Sequence, residues 1–217
     1  MKGARTFKPR RRRLSEQRQV SFDRLKPLWS LDEEGERLSL SDVLGAVEKV
    51  CVEIGSGNGS LASSFASSHP SIGLVSIDVH RPGIARMLDD IDEWGLTNLR
   101  VVEGDALVFL KRLVDRSVDE LWVFFPDPWP KNSQSHRRLV ADQRIGELAR
   151  VIKPGGALRL ATDVAAYAEQ MRRVVVASGF FTQIREERPG WRTVTAFESA
   201  GVEAGRRAID LCCIRGQ

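Results

Sequence analysis

From about residue 39 onward, apolar positions follow two alternating rhythms. Short runs rich in Val, Ile and Leu are apolar at nearly every position: "KVCVEI" (49–54), "GLVSID" (73–78), "NLRVVEGD" (98–105), "VDELWVFF" (118–125) and "ALRLATD" (157–163). Such runs predict strands buried on both faces. Between them, "SLASSFASS", "PGIARMLDDIDEW", "ALVFLKRLV" and "DQRIGELARVI" carry helical spacing, and Pro82 suits a first helical turn. Strands alternating with helices predict an α/β fold built on a doubly wound, mostly parallel sheet. After a helix near 164–178 the rhythm changes. "FFTQIREE" and "RAIDLCCIR" read as two strands with no helix between them, so an antiparallel C-terminal hairpin is expected at one edge.

Length and charge then divide the chain. With 217 residues, 42% of them hydrophobic, it can bury one sizeable core. The expectation is a basic N-terminal arm and lead-in over 1–38 and one domain over 39–217. The formal net charge is +4, yet the first 13 residues hold seven positive charges (Lys2, Arg5, Lys8, Arg10, Arg11, Arg12, Arg13) and no acid, so the remainder is net −3. Such a run suits a polyanion such as nucleic acid through counterion release, and composition alone equally allows a solvated tail. No stretch approaches the ~20 apolar residues of a membrane span, and the start lacks the apolar core of a signal peptide. Four consecutive arginines occupy every side of a helix, which makes a poor amphipathic presequence. Cys51, Cys212 and Cys213 lie in apolar strand-like runs and the three histidines are scattered. A reducing cytoplasm, no disulfide framework and no metal site are therefore expected.

In an open parallel sheet, ligands bind beyond the carboxyl ends of the strands. Acids stand at each of those ends: Glu53, Asp78, Asp105 and Asp127, with Asp163 closing the fifth strand. The first strand runs into "EIGSGNGS", whose Gly55, Gly57 and Gly59 permit positive backbone angles and close approach of a ligand. Two cofactor classes fit a glycine turn here. A dinucleotide would seat its pyrophosphate on the helix N-terminus, but Ser60 stands where the third glycine of G-x-G-x-x-G would fall, and Glu53 opposes a nearby pyrophosphate. S-adenosylmethionine lacks phosphate and carries a sulfonium and an ammonium, so an acidic crevice favours it. Asp78, 19 residues past Gly59, is placed to accept from ribose hydroxyls in either case.

The ordered segments "EIGSGNG", "IDVHRPG", "GDA", "FFPDPWPK", "RRL", "IKPGG", "ATD" and "TAFESAG" resemble the bacterial tRNA (guanine-N7)-methyltransferases from about Arg5 to Leu211. The glycine loop is generic to Rossmann-like class I methyltransferases, whereas "FFPDPWPK" and T-x-F-E-x-x-G are specific. The resemblance implies S-adenosylmethionine as cofactor, tRNA as partner, and transfer to guanine N7, with the variable-loop guanine as acceptor. It makes Glu53, Asp78, Asp105 and Asp127 cofactor-site residues, Asp127 also the catalytic one. It makes Lys131, Asp163 and Thr195 through Glu198, Phe197 among them, the substrate contacts. Its loop departs from the family: "NSQSH" stands where relatives are strongly basic.

Physical reasoning gives these motifs work to do. Pro126 and Pro128 stiffen the chain around Asp127. Guanine N7 carries a lone pair at neutral pH, so positioning rather than deprotonation is the task. Trp129 has two readings, a stacking platform for a base or a cover on the core edge. Lys131, Arg137 and Arg138 would meet phosphate, the two arginines alternatively flanking the next helix. Glu198 suits the N1 and N2 donors of guanine or else fixes a turn, and Asp163 binds substrate or caps a helix. A methyltransferase of exocyclic amines and a non-catalytic RNA-binding protein are the competing readings.

Overall fold

The computed structural model describes residues 5–7 and 13–217. Helices α1 (Glu16–Trp29) and α2 (Leu40–Leu44) lead into β1 (Lys49–Ile54), α3 (Ser60–Ser68), β2 (Ile72–Asp78), α4 (Arg81–Trp94), β3 (Leu99–Glu103), α5 (Ala106–Arg112) and β4 (Val118–Phe124). A 3₁₀ helix (Asn132–Arg137), α6 (Asp142–Val151), β5 (Ile152–Thr162), α7 (Ala165–Ser178), β6 (Phe181–Glu186), α8 (Ala196–Glu203) and β7 (Ile209–Arg215) follow. The strands form one sheet in the order β3-β2-β1-β4-β5-β7-β6. β1 through β5 pair in parallel, and β7 runs antiparallel to both β5 and β6. The doubly wound sheet with an antiparallel C-terminal pair matches the sequence expectation.

Each parallel strand feeds two apolar layers. In β1, Val50, Val52 and Ile54 join the core under α2, α5, α6 and α7, while Cys51 joins the core under α1, α3 and α4. That alternation explains why the strands read as continuous apolar runs. Chain order reverses between β1, which pairs with β2, and its other neighbour β4. Strand ends splay apart at such a switch point and open a crevice.

Three elements depart from the expectation. Helix α8 stands between β6 and β7, where none was read; it has eight residues, and its start is set by a single cap, Thr195 Oγ1 accepting from the Glu198 N–H at 3.2 Å. Strand β5 begins at Ile152, five residues before the run expected as a strand, and passes through Pro154, Gly155 and Gly156. The pairing with β4 shifts register between Val118 and Glu120, so the strand passes the glycines as an irregularity rather than ending there. Helix α1, within the lead-in, buries only Phe22 and Leu25, which is too sparse a stripe to stand out in the sequence. Those two side chains contribute about 1.5–3 kcal/mol each. Polar contacts fix the helix further: Ser21 Oγ donates to Asp89 at 2.6 Å and Lys26 pairs with Glu103 at 2.7 Å. Among the described residues no helix is long and apolar enough to cross a membrane.

Candidate active site

A cavity of about 500 Å³ opens at the switch point, over the carboxyl ends of β1, β2 and β4. The glycine loop forms its floor. Gly55, Gly57 and Gly59 have φ of 85°, 60° and 79°, a region that other residues enter at a cost. A Cβ on Gly55 or Gly57 would meet no described atom within 4 Å, so the backbone there stays open to a ligand, whereas at Gly59 it would strike Met87 of α4 at 2.3 Å. Gly57 N–H donates to Asp78 Oδ2 at 2.6 Å, and His80 N–H donates to Asp78 Oδ1 at 2.8 Å. Asp78 thus locks the loop to the end of β2, and its remaining lone pairs are free to accept from a ligand. Burial pushes the Asp78 carboxyl up, opposed by the bonds from Gly57 and His80.

Glu53 is 3% exposed and lines the same cavity. Ser76 Oγ donates to it at 2.9 Å. Burial raises its pKa to about 7; the Ser76 bond works against the rise and the charge of Asp78 adds to it. Ser56, also on the wall, has a buried Oγ with no hydrogen-bond partner among the described residues. Two acids, an unsatisfied hydroxyl and an open glycine backbone fit a cationic ligand that carries hydroxyls, as S-adenosylmethionine does. They do not suit a pyrophosphate. Asp105 takes a different place: its Oδ1 caps α5 by accepting from Leu107 N–H at 2.9 Å, while its neighbours Gly104 and Ala106 line the cavity. Glu33, a residue the sequence did not single out, packs on Gly104 and accepts from the Asp105 N–H.

Asp127 lines the same cavity, between Pro126 and Pro128. The residues outside the prolines, Phe125 and Trp129, have φ of 50° and 42°, a left-handed conformation that surrounding contacts must hold. Arg138 provides one such contact. Its Nε donates to Pro128 O at 2.7 Å and its Nη2 to Trp129 O at 3.3 Å, it bonds Gln170, and it lies 5.0 Å from the Tyr167 ring. Arg138 therefore braces the loop instead of facing a phosphate. Arg137 covers the Trp129 ring at 4.7 Å. Trp129 itself is 4% exposed, and its indole N–H donates to Thr6 O at 3.0 Å, so the ring covers the core edge and is no open platform. Thr6 and Phe7 lie on the cavity wall, a placement more than a hundred residues away in sequence from Trp129 that no local pattern announces.

The remaining predicted contacts divide. Thr195 and Asp163 line the cavity, Asp163 accepting from Arg206 at 2.7 Å. Lys131 is exposed and lies off the wall, just before the 3₁₀ helix. The side chain of Phe197 lies outside what the structure describes, as do Lys2, Lys8, Arg10, Arg11 and Arg12. Glu198 is buried and lies off the cavity wall. Arg192 donates to its Oε2 at 2.8 Å and to its Oε1 at 3.3 Å, and Arg188 donates to both oxygens. Four donors use the four acceptor positions of a carboxylate, so Glu198 as placed has none left for a base. Burial pushes this carboxyl up, but the bonds and charges of Arg188 and Arg192 outweigh it and hold the group low.

Comparison with known proteins agrees with this geometry. A family model described as a putative methyltransferase matches residues 47–211. A tRNA (guanine-N(7)-)-methyltransferase of Streptomyces avermitilis is 38% identical over 98% of this chain and 76% of its own length. One of the same name from Pseudoalteromonas translucida is 37% identical over 95% of this chain and 88% of its own. The solved structure of an antibiotic-related methyltransferase superposes with a TM-score of 0.61 at 17% identity, over 84% of this chain and 97% of that one, a likeness of fold. With an acidic cavity at the switch point, the Pro-Asp-Pro loop on its wall and relatives matched along nearly the whole of this chain, the chain belongs to the tRNA (guanine-N(7)-)-methyltransferase family.

Proposed function

We propose that this methyltransferase transfers a methyl group from S-adenosylmethionine to N7 of a guanine in tRNA, the acceptor being the variable-loop guanine. The observation that carries the reading is Asp127, clamped between two prolines on the wall of a cavity that Glu53, Asp78 and the glycine loop also line. When bound, S-adenosylmethionine would supply an electrophilic methyl group on its sulfonium: the N7 lone pair would form the new bond to carbon, the C–S bonding pair would stay on sulfur, and the positive charge would pass to the guanine. Glu53 and Asp78 hold that cofactor, the first by charge and the second through lone pairs not used by Gly57 and His80. N7 already presents a lone pair, so no residue removes a proton before transfer. Asp127 orients the guanine and stabilises the charge that develops on it.

Thr195 and Asp163 contact the acceptor from the cavity wall. Glu198 reads the guanine N1 and N2 donors once Arg188, which is 36% exposed on its side chain, swings off it, and Arg192 stays behind. Lys131 and the basic arm meet tRNA phosphates. Three buried thiols with no disulfide among the described residues suit a reducing cytoplasm.

The test is methylation of unmodified tRNA followed by nucleoside mass spectrometry. Wild type is expected to produce 7-methylguanosine. Asp127→Asn is expected to lower turnover by about 100-fold while the affinity for S-adenosylmethionine stays within about threefold, less than one kcal/mol. Full turnover by Asp127→Asn removes the assignment, and a different methylated nucleoside removes the acceptor.

A further inference from the structure

We infer that Arg192 is a positioning residue for methyl transfer, tying the segment that opens α8 to the loop that carries Asp127. The side chain is fully buried and sits among four groups from three parts of the chain. Nε and Nη2 donate to the two oxygens of Asp210 on β7, each at 2.7 Å. Nη1 donates to Glu198, in the first turn of α8, at 2.8 Å. The guanidinium carbon lies 5.4 Å from the ring centres of both Phe124 and Phe125, the two residues that run into Pro126 and Asp127. One planar cation therefore joins two segments that both reach the cavity, since Thr195, which caps α8, and Asp127 each line it.

The anchor is rigid on its near side. Trp191, the preceding residue, packs 4.3 Å from the Trp122 ring and 4.9 Å from Phe65. It fixes the start of the segment in the core beneath α3 and α4. The loop on the far side needs holding, because Phe125 and Trp129 are both left-handed. Arg138 grips it from the carbonyls of Pro128 and Trp129, and Arg192 supports it from the aromatic faces that precede Asp127. Arginine is required for this geometry. Lysine keeps the charge but loses the planar fork and the flat face that lies against two rings.

The inference rests on reading Asp127 as the group that orients the acceptor, and a double-mutant cycle separates the two. Arg192→Lys, Asp127→Asn and the double variant are measured in single turnover with enzyme in excess, alongside cofactor affinity and thermal unfolding. Arg192→Lys alone is expected to lower the rate by about 10-fold or more, with cofactor affinity within about threefold of wild type. In the Asp127→Asn background the same change is expected to lower it by less than about twofold, because a residue acting through Asp127 has nothing left to position. Equal losses in both backgrounds, or a loss that matches the fraction unfolded, overturn the inference. If Arg192→Lys does not fold, Asp210→Asn, which loosens the same fork, takes its place in the cycle with the same two readings. A wild-type rate for Asp127→Asn alone instead sinks the underlying reading of Asp127.

Discussion

For single residues, burial decides more of the chemistry than residue type. Glu53 is an ordinary carboxylic acid whose desolvation raises its pKa from 4.5 to about 7, with Ser76 opposing and Asp78 adding to the rise. In the unfolded chain the group ionises near 4.5, so between that value and about 7 the folded protein holds a proton the unfolded chain lacks. Stability on this account falls as pH rises through that window, by roughly 3 kcal/mol in all, and is level above it. A cation in the cavity favours the ionised form, so binding S-adenosylmethionine releases a proton when the pH lies inside the window. Calorimetric titration from about pH 5.5 to about pH 8.5 is expected to show affinity for this cofactor rising up to about pH 7 and flattening beyond. Asp78, also raised by burial, contributes in the same direction. Glu53→Gln isolates the Glu53 part: its affinity is expected to be weaker above pH 7 and to vary much less with pH. An unchanged profile in that variant shows that another group carries the dependence.

At the scale of elements, the cofactor floor depends on how closely α4 approaches the glycine loop. A Cβ added at Gly83, in the first turn of α4, would fall 1.9 Å from Gly57 O. Backbone cannot yield as a side-chain tip does, so Gly83→Ala must push the loop away from Asp78 and His80. The variant is expected to lose about 1–3 kcal/mol of stability and at least about tenfold in cofactor affinity, one power of ten in binding. Gly95→Ala serves as the comparison, since Gly95 ends α4 with φ of 64° and a Cβ added there would meet no described atom within 4 Å. It is expected to lose stability through its backbone angle while binding the cofactor normally. A wild-type affinity in Gly83→Ala would show that the loop tolerates the displacement. The glycine loop and the five parallel strands were legible in the sequence because their signals are local: apolar residues on both faces, an acid at each end, glycines in one turn. Helices α1 and α8 were not, since one buries two apolar residues and the other has eight positions under a single cap. The site followed the same division. Glu53, Asp78, Asp127, Asp163 and Thr195 converge on the cavity as their positions in the chain suggested. The engagement of Glu198 by Arg188 and Arg192, the bracing by Arg138 and the placement of Thr6 and Phe7 are tertiary, and no spacing rule encodes them.

On the scale of the whole molecule, charge is divided between a body of net −3 and a basic start of seven positive charges. An acidic body with an acidic cavity suits a cationic cofactor and repels a polyanion, so tRNA affinity must come from positive groups arranged around the rim. The loop beside Asp127 supplies few: Arg138 is committed to the backbone of Pro128 and Trp129, and Arg137 lies over the Trp129 ring. We propose that the arm supplies the rest: Phe7 lines the cavity and Trp129 donates to Thr6 O, and these two residues stand just before the arginine run in the sequence. Replacing Arg10, Arg11 and Arg12 by Gln removes three positive charges. With released counterions setting the slope of log K against log salt at about 0.7–0.9 per phosphate contact, the slope is expected to flatten by about two to three. Affinity for tRNA is expected to fall most at low salt, while cofactor affinity and single-turnover rate at saturating tRNA stay near wild type, since none of the three residues is assigned to the chemistry. Binding isotherms at four or more salt concentrations decide it. Parallel lines for variant and wild type mean that the run is solvated, and that the body, despite its net charge, holds the tRNA without it.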